Sequence, residues 1–128
     1  MIYLYTSVAL AGLLAEDRVP PVSLWREPLV SSRLLEHELW TRLHARGLGQ
    51  SHGELARSLL GRLAFLELAS PVLARALQPF PAAVRTLDAL HLASMVFLQG
   101  RGQEVLLASY DDKLTGVARK MGFRMALQ

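Results

Sequence analysis

Apolar and polar positions change period in blocks along this chain, and each period predicts an element. Residues 2–5, IYLY, make an unbroken apolar run of strand length, and Ser7 is placed to cap the apolar helix predicted at 7–16. The same reading predicts strand 28–31, helix 32–46, helix 52–63, strand 64–68, helix 71–77, helix 86–99, strand 104–108, helix 112–121 and a last strand near 124–127. Punctuation agrees with these limits. Ser32 caps the helix that ends before Gly47, Ser70-Pro71 opens another in the favoured order, Thr86 is placed to cap the next, and Gly100 and Gly122 fall just past helix ends. Strands alternating with helices predict an α/β fold with a parallel sheet covered on both faces. The segments 17–28 and 78–83 are the expected irregular stretches.

Three places break the apolar pattern with acids. On helix 32–46, at about 100° per residue, Glu38 falls inside the arc marked by Leu34, Leu35, Leu39 and Leu43. A carboxylate on an apolar face needs a cation, a metal or a solvent-filled cleft, because burying it alone costs several kcal/mol, roughly. An intrahelical pair with Arg42, four residues on, answers that need equally well, and both readings stand. Helix 86–99 is apolar on nearly every side and carries a single charged residue, Asp88, in its first turn. There an acid also serves simply to complement the helix dipole. His91, one turn on, reads as a hydrogen-bonded core histidine rather than a ligand or a base.

The third place is EVLLASYDDKL, where a buried strand delivers Ser109, Asp111 and Asp112 into the turn before a helix. One of the two acids is expected to be a cap. The C-terminal ends of parallel strands are also where α/β domains hold ligands, and strand 2–5 ends on the same edge. Carboxylates from separate segments at one sheet edge suit a hard divalent cation, Mg²⁺ or Mn²⁺, which takes oxygen ligands and activates a bound water. The set would be complete with an aspartate at position 5, where the chain has tyrosine.

Composition narrows the classes. With 128 residues the chain fits one domain, and with no cysteine it excludes disulfides and thiolate metal sites. Its apolar runs are too short to cross a bilayer, so we expect a cytoplasmic protein with no membrane association. The net charge of +3 comes from 14 basic residues against 11 acids, and almost all of the bases are arginine, which suits phosphate or carboxylate contacts. No glycine-rich phosphate loop, H-E-x-x-H helix or cysteine nucleophile is present. A phosphoacceptor receiver domain would need an acidic pair after the first strand, and there is none.

Four segments together resemble the motifs of PIN-domain proteins: MIYLYTSVAL, SSRLLEHEL, RTLDALHLASM and ASYDDKLTGVARKMGF. Their order and spacing, nearly end to end, are similar to single-domain PIN ribonucleases of VapC type, the toxin halves of VapBC toxin–antitoxin pairs. The resemblance implies one PIN-like domain over 1–128, a three-layer α/β/α sandwich with a central, mainly parallel sheet. It assigns Glu38, Asp88 and Asp111 as metal-site carboxylates, with Ser7 and Ser109 as polar helpers and Asp112 as a reserve ligand or cap. It further implies Mg²⁺- or Mn²⁺-dependent endonucleolytic cleavage of RNA by a metal-activated water. A homodimer and a VapB-like antitoxin are the implied partners. Arg33, Arg42, Arg85 and Lys113 lie near these motifs as candidates for RNA or antitoxin contact. At position 5 the family pattern calls for aspartate, so Tyr5 is expected to leave the protein inactive or impaired with its fold intact. The rival expectation is a non-catalytic PIN-like module that binds RNA or a protein partner.

Overall fold

The apolar run that opens the chain becomes the central strand of a five-stranded sheet. The computed structural model describes residues 1–127. Strand β1 (Ile2–Leu4) lies between β2 (Leu29–Ser32) and β4 (Leu106–Ala108), while β3 (Leu63–Leu66) pairs outside β2 and β5 (Arg124–Met125) outside β4. Every pairing is parallel, with Ile2 opposite both Leu29 and Leu106. A central parallel strand is buried on both faces, which is why β1 reads as continuous rather than alternating hydrophobicity.

Side chains of β1 nonetheless alternate between two cores. Ile2 and Leu4 pack with α1 (Thr6–Leu14), α2 (Arg33–Ala45) and α3 (Gly53–Leu60) through Leu10, Leu35, Leu39, Leu43 and Leu60. Tyr3 and Tyr5 face the other side, with Leu92 and Met95 of α5 (Thr86–Gly100) and Leu114 and Val117 of α6 (Asp112–Lys120). Helix α4 (Ser70–Ala76) packs against α5. Helices on both faces of one parallel sheet give the three-layer α/β/α sandwich, as the sequence predicts. Among the described residues no helix is long and apolar enough to cross a membrane.

The expected caps divide. Ser32 accepts from the Leu34 amide as predicted, and Gly122 takes the left-handed conformation just past α6, at φ 92°. Ser7 does not cap α1. The helix starts one residue earlier, with Tyr5 at the N-cap, and the Ser7 hydroxyl instead accepts from the Tyr110 amide at 2.9 Å, tying α1 to the turn after β4. Thr86 likewise lies within α5, whose N-cap is Arg85, and Gly100 is the last helical residue, so the left-handed turn falls to Gly102. The stretch 17–28, expected to be irregular, contains a 3-10 turn over Val22–Arg26 that seats the buried Leu24.

Candidate functional site

The chain leaves β1 outward through β2 and β3, then returns to the far side of β1 for β4 and β5. This order puts a crevice at the C-terminal ends of β1 and β4, where successive crossovers part to opposite faces. A polar cavity of about 270 Å³ opens there. Glu38 of α2, Asp88 of α5 and Asp111, which precedes α6, all line it, together with Tyr5, Ser7, Arg42 and Arg85.

Tyr5 is 8% exposed, and its phenol donates to Asp88 Oδ1 at 2.5 Å. The ring stands edge-on to His91, with centroids 5.0 Å apart. Burial raises its pKa well above the usual phenol range. The bond to Asp88 and the nearby Glu38 and Asp111 carboxylates push the same way, so the hydroxyl keeps its proton and remains a donor.

Glu38 is held from two sides by other segments of the chain. Its Oε1 accepts from Thr6 Oγ1 at 3.0 Å and faces His91 Nε2 at 2.5 Å, so the intrahelical partner Arg42 is not the one it takes. His91 is wholly buried, and its other nitrogen, Nδ1, meets the Tyr3 hydroxyl at 2.7 Å. The Ser32 amide already donates to that hydroxyl oxygen at 3.2 Å. A carboxylate only accepts, so the ring proton facing Glu38 is on Nε2, which donates to it. Burial raises the Tyr3 pKa beyond the ordinary range, so its hydroxyl keeps its proton. The reading of His91 as a hydrogen-bonded core histidine is correct, and its partner is the very carboxylate whose presence on an apolar face needed an explanation.

Asp111 is the acid that caps. Its Oδ1 accepts from the Leu114 amide at 3.0 Å, while its own amide donates to Ser109 Oγ at 3.0 Å. Asp112, which follows in the first turn of α6, is exposed and does not line the cavity, and neither Ser109 nor Lys113 reaches it. Arg33 lies outside the cavity as well. It lies over the Phe65 ring and binds Glu67 at 2.8 Å and Glu36 at 3.3 Å; the bonds to Glu67, then Glu36, hold its guanidinium more firmly protonated, and Arg33 in turn lowers the Glu67 pKa. Of the four basic candidates, only Arg42 and Arg85 line the cavity.

Thr6 and His91 belong to the site but were not read as site residues in the sequence. A signal for His91 was present, since it lies three residues after Asp88 and so shares its face of α5.

The donor set has the chemistry of a Mg²⁺ or Mn²⁺ site, three carboxylates in one polar pocket. Its arrangement does not fit one: among the described residues no three acidic or histidine side chains are grouped to hold a metal ion. Tyr5 occupies one oxygen of Asp88, and Glu38 and Asp111 each give an oxygen to protein donors.

The chain matches the family model described as PIN domain over residues 2–120. It is 33% identical to Ribonuclease VapC47 of Mycobacterium tuberculosis, strain CDC 1551 / Oshkosh, over 96% of this chain and 93% of that protein. Its fold is similar to the crystal structure of Mycobacterium tuberculosis VapC20, a sarcin-ricin loop cleaving toxin, with a TM-score of 0.62 at 16% identity over 91% of this chain and 94% of the other. With a PIN-domain match and these likenesses running nearly its full length over an α/β/α sandwich, the chain belongs to the PIN-domain family as a VapC-type protein.

Proposed function

We propose that the cavity is the active site of a VapC-type toxin endoribonuclease, in a single PIN-like domain over 1–128, and that Tyr5 disables it. The observation that carries this reading is the Tyr5–Asp88 hydrogen bond inside the pocket that collects Glu38, Asp88 and Asp111. The relative named Ribonuclease VapC47 supports the activity. A divalent Mg²⁺ or Mn²⁺ ion supplies an activated water and neutralises phosphate charge when bound to such carboxylates. With an aspartate in place of the Tyr5 phenol, Glu38, Asp88 and Asp111 are the residues that would hold it. Arg42 and Arg85 stand at the rim for the anionic substrate, RNA. A homodimer, a VapB-like antitoxin and a cytoplasmic setting complete the proposal.

The test compares the native chain with Tyr5→Asp on RNA, with Mn²⁺ or Mg²⁺ and with chelator. Cleavage by Tyr5→Asp alone, stopped by chelator, is the expected result. Equal cleavage by both would remove Tyr5 from the explanation, and silence from both would remove the nuclease reading.

One observation favours a second reading, a non-catalytic PIN-like module that binds RNA or protein. Tyr5 is not an ill-fitting intruder but a buried, hydrogen-bonded member of a network in which no buried side-chain polar atom among the described residues lacks a partner. Tight RNA binding by the native chain without cleavage, insensitive to chelator, would put this reading first.

A further inference from the structure

A second cleft, also of about 270 Å³, adjoins the first and shares Ser7 and Arg42 with it. Arg18, Arg42 and Arg46 line it. Arg42 and Arg46 are one turn apart on α2, with Arg46 at its C-cap, so they rise on one face of that helix. Arg18 is steadied from the other side, donating to the Tyr110 carbonyl at 3.3 Å with its guanidinium 5.3 Å from the centre of the Tyr110 ring. The Tyr110 amide is bound by Ser7, so the same turn that places Asp111 in the first cavity places Arg18 in the second. Glu16 and Asp17 also line this cleft. Among the described residues, however, no carboxylate lies within 4.0 Å of the three guanidinium groups, in contrast to Arg33, which binds two.

We propose that Arg18, Arg42 and Arg46 form a phosphate-binding track that holds the single-stranded RNA flanking the site of cleavage, entering the catalytic cavity past Ser7. The inference rests on the ribonuclease reading and adds the path of the substrate. Guanidinium groups suit it because each offers a planar fork of donors to a phosphate and stays charged at any physiological pH.

The test measures binding of a labelled single-stranded RNA to the full chain in chelator over a series of NaCl concentrations. Each phosphate contact on a single strand contributes about 0.7 to the slope of log K against log salt. Arg18→Ala combined with Arg46→Ala should make the slope shallower by about 1.4, while the corresponding Lys pair should keep it near the native value. Arg124→Ala serves as the control for lost charge, since Arg124 opens β5 and lies at the opposite end of the parallel sheet. A double Ala variant that keeps its fold and the slope of the Arg124→Ala chain would overturn the track and leave the ribonuclease reading standing. Polyglutamate binding that is lost in the double Ala variant, with RNA affinity and salt slope unchanged in that variant, would also overturn it, in favour of an acidic protein segment. If the native chain binds no RNA and Tyr5→Asp cuts none, the ribonuclease reading falls and the track falls with it.

Discussion

Tyr5 and Asp88, 83 residues apart in the chain, meet through a hydrogen bond of 2.5 Å at the end of the sheet. The neutral phenol gives the buried carboxylate a hydrogen-bond donor in a pocket lined by two further acids, Glu38 and Asp111.

Replacing Tyr5 should show in stability as well as in activity. Tyr5→Asp removes a largely buried ring and adds a fourth carboxylate to the pocket, so without divalent ions it should destabilise the fold by about 2–4 kcal/mol. Mn²⁺ should restore much of the loss by binding only the folded chain. Thermal melts with and without Mn²⁺ check this, and the native chain should show little shift. A native melting temperature that climbs with Mn²⁺ as steeply as that of Tyr5→Asp would refute the block.

Removing only the hydroxyl separates bonding from bulk. In Tyr5→Phe the ring still fills its space against His91 and leaves Asp88 Oδ1 without its donor, at a cost of about 1–3 kcal/mol. Urea denaturation should register that loss, and if the ring blocks the pocket as proposed, this variant should not cleave RNA. A gain of nuclease activity would mean that the hydroxyl, not the ring, is the obstacle.

His91 links the core to the site. His91→Ala deprives both Tyr3 and Glu38 of a buried partner and leaves a cavity, so a loss of about 3–5 kcal/mol is expected by denaturant titration. His91→Gln keeps a donor toward Glu38 and should recover part of it. Equal losses in the two variants would mean that packing, and not the Glu38 hydrogen bond, sets the value of this residue.

The alkaline limb of stability follows from the two buried phenols. Both Tyr3 and Tyr5 have pKa values raised above their unfolded value of about 10. Their stabilising contribution is therefore complete below pH 10 and falls as pH rises above it, where the unfolded chain loses protons that the folded one retains. Tyr3 alone should contribute a decline of about 1.4 kcal/mol per pH unit. Tyr5, whose hydroxyl borders the solvent-reached pocket, should contribute less through screening. Stability measured from pH 8 to 11.5 checks the onset, and Tyr3→Phe should flatten the decline.

Arg33 provides a contrast among the basic residues. Its guanidinium is spent on Glu67 and Glu36 at an exposed site, so Arg33→Ala should leave the RNA salt slope unchanged and the melting temperature nearly so. A fall in RNA affinity matching that of the Arg18 and Arg46 variants would place the substrate path elsewhere.

Local pattern determined much of this protein. A β1 segment apolar at every position, caps such as Ser32, and helices with one apolar arc specify element type and order, because hydrophobic period and backbone preference act over a few residues. The alternation of strands and helices then leaves few ways to bury both faces of a sheet, and the α/β/α sandwich follows. The acids were also legible: Glu38 stood out on an apolar face and Asp111 in the turn after β4.

Partners across long separations were decided only by the tertiary structure. Arg42 lies one helical turn from Glu38, yet the carboxylate goes to His91 of another helix and Thr6 of a third, because those groups are buried beside it and would otherwise lack a hydrogen bond. Asp111 rather than Asp112 became the cap, set by where α6 begins. Ser7 turned from its own helix to Tyr110 because α1 starts one residue early. Sequence pattern shows that a buried polar atom must be satisfied, and the packing of distant segments chooses what satisfies it.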